Sequence, residues 1–466
     1  MIHKSSRVLA INTPEQIGNE ILVQGWVQAR RDHGKLIFID LRDRSGLLQV
    51  VFNPKVSKET YEAANGLHPE DVVSITGKIN KRPERLVNPK IISGTVELEA
   101  STAEVLAKAD TLPFDMGQET LNLELPTLLD YRSLTLRHGK VKEIFVIQGG
   151  ILEEFRMAAR VLDCIEVVVP TIAAGATEGG SEVFAIDYFG HKAFLTQSPQ
   201  LYKQIMVSVF ERVFVITKAY RAEPSVTTRH LTEATQMDVE IAFIQSFEEL
   251  LDALEFVGTS MIKGVTEKYS GILKNLRIEK PLIPDIVPRL KMREAQQIIK
   301  ERTGRDRSAE QDLNPEDERE ICSFAKEKYK SDFVTITHFP TAKRAFYTMP
   351  DPEDPVCSLS YDLLFRGMEM MSGSQRINNY DDLVKAMKIK GVDPLNFGVY
   401  MQAFKYGMPP EGGFSFGLER LTMKLLELSN IREASLFPRD MERVDERFST
   451  VKPADQKTDQ KKAKKV

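Results

Sequence analysis

Residues 220–238 read YRAEPSVTTRHLTEATQMD, and this polar stretch is the best guide to the fold. The flanking runs 212–219 and 237–243 are rich in β-branched and aromatic residues and predict two strands of one hairpin-like unit. Arg221 and Glu223 lie two positions apart on the end of the first strand, so they share a face. A strand end with paired charges predicts either a polar turn or a binding site.

The return arm of the same stretch carries a second set of polar side chains. Arg229 and His230 lie in the loop, and Gln236 and Asp238 share a face of the next strand. Cations of this kind suit phosphate groups, and carboxylates suit an ammonium group or a metal ion. A solvated polar hairpin explains the cluster equally well when it is considered alone.

A second cluster lies in DLLFRGMEMMSGSQR, residues 362–376. Glu369 and Ser372 offer the oxygen ligands that Mg²⁺ takes beside phosphate oxygens. Arg376 carries the planar fork that binds a carboxylate through two hydrogen bonds. Two such clusters in one chain favour a binding site over a solvated surface.

The third cluster is EGGFSFGLERLTMKLLELSN, residues 411–430, which predicts a short strand followed by a helix from about Gly417. Leu418, Leu421 and Leu425 share one helical face and are predicted to lie in the core. Arg420 lies outside that stripe near the helix start, where an anion rather than a cation is favoured. We therefore expect a bound anionic group beside it.

The remaining sequence predicts a division into domains. Short β-rich runs between residues 20 and 100, with a short helix within 53–70, indicate a small antiparallel barrel. Residues 300–330 are charged and helical in character and are expected to form a surface insertion. The expected division is a barrel over 1–105, a hinge over 106–140, a second domain over 141–450 and a disordered basic tail over 451–466.

Composition narrows the class of protein without identifying it. The 466 residues are 42% hydrophobic and 28% charged, which is typical of globular proteins, and the net charge of −4 shows no basic footprint for nucleic acid. Three distant cysteines predict free thiols in a reducing compartment. No apolar run reaches membrane-spanning length, and the N-terminus lacks the apolar core of a signal peptide. A cytoplasmic location is expected.

In these three segments the chain resembles the class II aminoacyl-tRNA synthetases of the aspartate, asparagine and lysine subgroup, and in particular the aspartyl-tRNA synthetases. The helix near 150–164 running into a strand at IEVVVP (165–170) resembles motif one. YRAE…RHLTE…QxD resembles motif two, and GFSFGLER resembles motif three. The resemblance covers about residues 15–445 and implies an α+β fold. That fold has an N-terminal OB-fold barrel and a catalytic domain with a six-stranded antiparallel sheet flanked by helices. The large insertion of the typical bacterial enzyme is missing, so the chain resembles the shorter type.

The resemblance also implies the activity and its residues. It implies a homodimer that activates L-aspartate with ATP and Mg²⁺ and transfers it to the 3′ end of tRNA(Asp). The implied catalytic residues are Arg221, Glu369 and Arg420, with Glu369 and Ser372 as metal ligands. The implied aspartate-binding residues are Glu178, Ser198, Gln200, Lys203, Gln236, Asp238, Ser372 and Arg376. The implied ATP-binding residues are Arg221, Glu223, Arg229, His230, Leu231, Glu369, Gly417, Leu418, Glu419 and Arg420.

Two positions bear on the choice of amino acid. By the resemblance, Lys203 in TQSPQLYKQ (196–204) and Arg376 would face the substrate side chain. Two cations without partners would require an anion, since an unpaired buried charge is costly. Aspartate meets that requirement and asparagine does not.

The barrel residues bear on the choice of tRNA. By the resemblance, the barrel binds the anticodon through Arg31, His33, Phe38, Gln49 and Glu97, with Phe38 stacked on a base. Phe38 as a plain core residue is the alternative. His33 stands where strictly aspartate-specific enzymes of the bacterial type tend to have leucine, which favours an enzyme that charges both tRNA(Asp) and tRNA(Asn). An exposed histidine without a role is the alternative.

Three rival functions remain open. One is an asparaginyl-tRNA synthetase, which Lys203 disfavours. Another is a tRNA-binding paralogue without ligase activity, which the presence of Arg221, Glu369 and Arg420 disfavours. The third is an amidating asparagine synthetase on the same catalytic fold, a class that lacks an anticodon barrel.

Overall fold

A computed structural model describes residues 7–175, 182–224 and 227–448. The chain divides into two units, Met1–Leu123 and Glu124–Val466. Within the described ranges no helix is long and apolar enough to cross a membrane.

Five strands of the first unit close into a barrel in the order β1-β2-β3-β5-β4. The pairings are antiparallel except for the parallel pair β3 and β5. Alternation along β2 buries Ile37, Ile39 and Leu41 and turns Phe38 and Asp40 outward. The predicted barrel with one short helix is confirmed. The elements are β1 (Glu20–Asp32), β2 (Ile37–Arg42), β3 (Leu47–Phe52), α1 (Lys58–Asn65), β4 (Val72–Lys81) and β5 (Val96–Ala107).

The second unit combines helices with one large and one small sheet. Its first half contains α2 (Leu125–Asp130), α3 (Arg132–Thr135), α4 (Gly139–Val161), β6 (Ile165–Glu166), β7 (Ile172–Ala173), β8 (Ala185–Tyr188), β9 (His191–Leu195), α5 (Gln200–Phe210), β10 (Arg212–Tyr220), β11 (Glu233–Ala242), α6 (Phe247–Lys268) and α7 (Ser270–Asn275). Its second half contains β12 (Arg289–Lys291), α8 (Met292–Thr303), α9 (Pro315–Tyr329), β13 (Phe333–Thr337), β14 (Ser360–Phe365), β15 (Met368–Gln375), α10 (Tyr380–Ile389), α11 (Gly398–Lys405), β16 (Glu411–Gly417) and α12 (Leu418–Leu425).

The large sheet has eight strands in the order β12-β13-β14-β15-β16-β11-β10-β6. The six inner strands are antiparallel, but β12 and β6 pair in parallel with their neighbours at the two edges. The predicted six-stranded antiparallel sheet is therefore wrong in strand number and in orientation. Edge strands of two and three residues are too short to give a recognisable periodicity, and only the first two residues of IEVVVP join the sheet.

Helices α4, α6 and α12 pack on the face of this sheet that forms the main core. Phe155 of α4, Leu254 of α6 and Phe416 of β16 are buried there. The leucine stripe of α12, predicted to be core, is buried as well. The opposite face of the inner strands carries polar side chains.

The charged stretch 300–330 is more than a surface insertion. It contains the end of α8 and the whole of α9, and α9 buries Ile321 and Ala325 beside β13 and β14. The many charged residues conceal this apolar stripe, because they occupy the other faces of the same helix.

Candidate active site

Period-two alternation on four neighbouring strands places a row of polar residues across the sheet. Asp362 of β14 lies opposite Ser372 of β15, which lies opposite Ser415 of β16, which lies opposite Asp238 of β11. Residues opposite one another in a sheet point to the same face. Residues 362–376, 411–430 and 220–238, which are far apart in sequence, therefore meet on one surface.

This surface forms one side of a cavity of about 700 Å³. Leu418 does not line it, because its side chain lies in the core, and Glu178 lies outside the described residues. The predicted residues that line it are Ser198, Gln200, Lys203, Arg221, Glu223, Arg229, His230, Leu231, Gln236, Asp238, Glu369, Ser372, Arg376, Gly417, Glu419 and Arg420.

One end of the cavity contains buried cations whose charges are already paired. The Lys203 Nζ lies 2.9 Å from Asp238 Oδ2 and 2.9 Å from Glu240 Oε2. The Arg376 Nε donates to Glu240 Oε1 at 2.7 Å. All four side chains are at most 4% exposed. The premise that Lys203 and Arg376 lack partners is therefore wrong. The charges of these two residues alone do not require an acidic substrate.

Glu240 was missed because nothing in the sequence distinguishes it from an ordinary strand residue. It lies two positions after Asp238 and therefore on the same face of β11. Its partner across β16 is Gly413. A Cβ at Gly413 would lie 2.2 Å from Glu240 Oε2, so the glycine leaves the space that this carboxylate occupies.

Between the two ends, Gln236 presents an unused acceptor. Its Oε1 is buried and has no hydrogen-bond partner among the described residues, although the side chain lines the cavity. A buried acceptor without a partner costs about 1–3 kcal/mol. A ligand that carries hydrogen-bond donors, such as an ammonium group, would remove that cost.

The other end of the cavity contains less buried cations with loose ion pairs. Arg221 lies 3.7 Å from Glu223, and Arg420 lies 3.7 Å from Glu369. Arg229 is held more closely, by Glu318 of α9 at 3.1 Å. Guanidinium groups that are only loosely paired can turn to an anionic ligand at little cost. This end therefore suits phosphate groups.

His230 lies among these arginines. Burial lowers its pKa, with Arg420, Arg221 and Arg229 acting in the same direction and Glu223 opposing them. The Nδ1 atom of the ring lies 2.5 Å from Thr227 Oγ1. The imidazole is thus neutral at physiological pH and can act as a hydrogen-bonding group rather than as a fourth cation.

The predicted metal ligands Glu369 and Ser372 lie next to the phosphate end. Asp362 lies opposite Ser372 in the sheet and is buried, and Arg344 donates to Ser372 Oγ at 3.3 Å beside it. Burial, with Glu369 adding to it, raises the pKa of Asp362 to about 7, although Arg344 donates to Oδ2 at 2.8 Å. Asp362 is thus held by Arg344, and the Glu369 carboxylate and the Ser372 hydroxyl are the oxygen groups at the cavity that suit Mg²⁺, which keeps waters and phosphate oxygens as its other ligands.

That donor set is incomplete as a closed metal site. No group of three or more His, Cys, Asp or Glu side chains that could hold a metal was found within the described residues. The residues therefore fit an ion that arrives with a phosphate ligand rather than a resident structural metal.

In the first unit, the predicted anticodon residues lie together on the outer surface of the barrel. Phe38 is partly exposed and lies 5.4 Å from His33 between ring centroids, so the core alternative for Phe38 is wrong. Arg31 forms two hydrogen bonds with Asp40, at 2.6 and 2.8 Å. Asp40 was missed although it follows Phe38 by two positions.

The same surface continues onto neighbouring strands. Asp40 lies opposite Gln49 in the β2–β3 register, and Gln49 Nε2 donates to Glu97 Oε2 at 3.1 Å. Burial raises the pKa of Glu97, and Arg82 at 3.7 Å opposes that effect. An aromatic ring among charged and amide groups is the composition expected of a surface that binds an unstacked base.

The outer barrel surface suits an unstacked base, and the cavity of the second unit suits a ligand with phosphate groups. A family model for class II tRNA synthetases (D, K and N) matches residues 124–441, and one for the OB-fold nucleic acid binding domain matches residues 21–106. The chain belongs to this family of class II synthetases.

The similar proteins include enzymes of two tRNA specificities. The chain is 39% identical over 442 residues to an aspartate–tRNA(Asp/Asn) ligase of Thermus thermophilus, covering 94% of this chain and 99% of that one. It is 38% identical over 445 residues to an aspartate–tRNA(Asp) ligase of Pyrococcus abyssi, covering 95% and 99%. An asparaginyl-tRNA synthetase of Pyrococcus horikoshii, solved with asparaginyl-adenylate, is similar in structure with a TM-score of 0.87 and 29% identity, covering 95% and 100%.

Proposed function

We propose that the chain activates L-aspartate with ATP to form aspartyl-adenylate and transfers the aspartyl group to the 3′ end of tRNA(Asp). The observation that carries this proposal is the cavity with Lys203 and Arg376 buried at one end and Arg221, Arg229 and Arg420 at the other. The names of the similar ligases support the choice of amino acid.

The proposed aspartate site uses the inner end of the cavity. The substrate side-chain carboxylate lies between Lys203 and Arg376, and its ammonium group donates to Gln236 Oε1, which otherwise has no partner. Ser198, Gln200 and Asp238 line the same part of the cavity. Because the walls are held by their own ion pairs, little reorganisation accompanies binding.

In the proposed activation step a carboxylate oxygen of aspartate attacks the α-phosphorus of ATP and pyrophosphate leaves. Arg221 stabilises the charge on the α-phosphate, and Arg420 with Arg229 holds the far end of the triphosphate. No general base is needed, since the attacking carboxylate is already ionised. Glu369 and Ser372 would hold Mg²⁺, which supplies further stabilisation of phosphate charge when bound.

In the proposed transfer step the terminal ribose hydroxyl of tRNA attacks the aspartyl carbonyl and AMP leaves. The hydroxyl proton goes to a phosphate oxygen of the adenylate. No side chain needs to accept this proton. The neutral His230 therefore keeps its role as a hydrogen-bonding group.

Pyrophosphate exchange without tRNA tests the amino-acid assignment. Exchange is expected with aspartate and not with asparagine, and exchange with asparagine alone would refute the proposal. Arg221→Lys should lose most of the exchange, because the two parallel hydrogen bonds of a guanidinium are lost. Arg293→Lys is the matched control, since Arg293 is 70% exposed and does not line the cavity.

A relaxed choice of tRNA is the second part of the proposal. His33 and the neighbouring Phe38 ring lie on the exposed barrel surface, and a polar contact there would accept the third anticodon base of tRNA(Asp) or of tRNA(Asn). Aspartylation of both transcripts is expected, and His33→Leu should reduce charging of tRNA(Asn) more than charging of tRNA(Asp). Absence of any charging of tRNA(Asn) would reject this part alone.

A homodimer in the cytoplasm completes the proposal. An exposed apolar surface lies at the end of α4 and on the edge strand β6. It consists of Met157, Val161, Ile165 and Val168. Such a surface is expected to be covered by a second copy. Sedimentation equilibrium should give twice the mass of the chain, and Val161→Asp should shift it to the monomer. The three free cysteines fit a reducing compartment.

A further inference from the structure

A third buried acid, Glu411, lies behind the two cations of the proposed aspartate site. It is the first residue of β16 and is fully buried. Its Oε1 accepts from Gln204 Nε2 at 2.7 Å, whereas its Oε2 is buried and accepts no hydrogen bond from an N–H group or a hydroxyl group of the described residues. Gln204 Oε1 in turn accepts from Tyr400 Oη at 3.1 Å, which fixes the direction of the amide.

The carboxyl group next to Glu411 is that of Glu240, within hydrogen-bonding reach. Both oxygens of Glu240 already accept from cations, Oε1 from Arg376 and Oε2 from Lys203. Glu411 takes part in no ion pair among the described residues. Two adjacent buried carboxyl groups cannot both be ionised without a large cost, so the one without a cation keeps a proton.

The other charged and titratable groups around Glu411 agree with this assignment. Burial and then Glu240 raise the pKa of Glu411 well above its usual value, against the opposing effect of Arg376. The phenols of Tyr400 and Tyr361 also lie close and are neutral, because burial raises the pKa of each.

We propose that Glu411 is a neutral carboxylic acid whose hydroxyl group donates to Glu240 and that it thereby positions Arg376 for an acidic substrate side chain. Lys203 and Arg376 are positive, and Asp238 and Glu240 are negative. This group of four side chains therefore has no net charge. An ionised Glu411 would give this group a charge of −1 before any acidic side chain entered. Glu411 is thus a positioning residue for selection of a carboxylate, and this inference rests on the proposed aspartate specificity.

Kinetics of two variants test the positioning role. Glu411→Ala removes the donor to Glu240, and the KM for aspartate should rise about tenfold or more with a smaller change in kcat, since hydrogen bonds to charged groups contribute about 1.5–3 kcal/mol. Glu411→Gln should recover most of this loss, because its amide can donate to Glu240 and accept from Gln204. A KM for Glu411→Gln well below that of the unaltered chain would overturn the proposal, since it would mean that the native residue carries a negative charge.

Infrared spectroscopy tests the proton directly, without substrates. At pH 7 the spectrum of the unaltered chain should contain the carbonyl band of a protonated carboxylic acid that Glu411→Gln lacks. Glu255→Gln is the control and should remove no such band, because Glu255 is ion-paired with Arg289 at 2.8 Å. Absence of the Glu411 band would overturn the inference even if aspartate is activated. Presence of the band without aspartate-dependent exchange would instead reject the proposed function, and the specificity role of Glu411 with it.

Discussion

Lys203→Met should destabilise the catalytic unit by about 3–5 kcal/mol, the cost of breaking a buried ion pair. Lys203 is the only ion-pair partner of Asp238 among the described residues, whereas Glu240 keeps Arg376. The variant therefore leaves Asp238 buried with only the Ser415 hydroxyl, which donates to it at 2.6 Å. This loss is a large fraction of the roughly 5–15 kcal/mol that stabilises a typical domain.

The destabilisation should depend on pH. Burial already raises the pKa of Asp238 above its ordinary value, and loss of Lys203 raises it further. A carboxyl group whose pKa is higher in the folded state than in the unfolded state lowers the free energy of unfolding. The full reduction is present at pH values above the folded-state pKa, and it disappears at pH values below the unfolded-state pKa. The deficit should therefore be largest at alkaline pH and should shrink as the pH falls towards the ordinary pKa of an aspartate.

Urea unfolding followed by far-UV circular dichroism measures this deficit. The only tryptophan, Trp26, lies in the barrel, so its fluorescence follows a unit in which nothing was changed. The double variant Lys203→Met/Asp238→Asn should recover much of the loss, because it removes the carboxylate that has no cation. An unchanged midpoint for Lys203→Met, or an equal deficit in the double variant, would refute the reasoning.

Further predictions concern the barrel surface, the thiols and one glycine. Phe38→Ala should weaken binding of a tRNA(Asp) transcript by about 1–3 kcal/mol in a filter assay and leave pyrophosphate exchange unchanged, because one stacked base is lost; equal binding would count against an anticodon contact. The cysteine thiols are buried, and burial raises the pKa of two of them to about 12, so Ellman's reagent should react slowly with the native chain and rapidly after denaturation at Cys164, Cys322 and Cys357. Gly413→Ala should abolish aspartate activation, since its Cβ would clash with Glu240, whereas Gly398→Ala has open space and should retain exchange; an active Gly413→Ala enzyme would contradict the packing.

The barrel and the strands β10, β11 and β16 could be predicted from sequence because each is a local pattern. Alternation in β2 and the two β-rich runs around 220–238 give period-two signals that survive in the folded chain. The edge strand β12 was not predicted, and of the predicted strand IEVVVP only Ile165–Glu166 joins the sheet as β6, because tertiary pairing rather than local propensity makes two or three residues a strand.

The candidate site divides in the same way. Residues in motif-like segments, such as Glu369 and Arg420, lie in the cavity as their patterns indicated. Glu318 lies far away in sequence, on a helix with many surface charges, and only the folded chain shows that it holds Arg229. The ion pair between Lys203 and Glu240 could not be predicted either, because a sequence does not show which charged side chains are close together in the fold.

The mutual compensation of Lys203, Asp238, Glu240 and Arg376 has an evolutionary consequence. A lineage that altered one of these four residues would pass through an intermediate with a buried uncompensated charge, and would lose stability before it gained a new amino-acid preference. Amino-acid preference should therefore change only through concerted replacements, with strong epistasis among them. The barrel surface around His33 is exposed and carries no such constraint. Under the proposed anticodon contact, single substitutions there would widen or narrow the set of accepted tRNAs, and the two specificities of the enzyme would then evolve at very different rates.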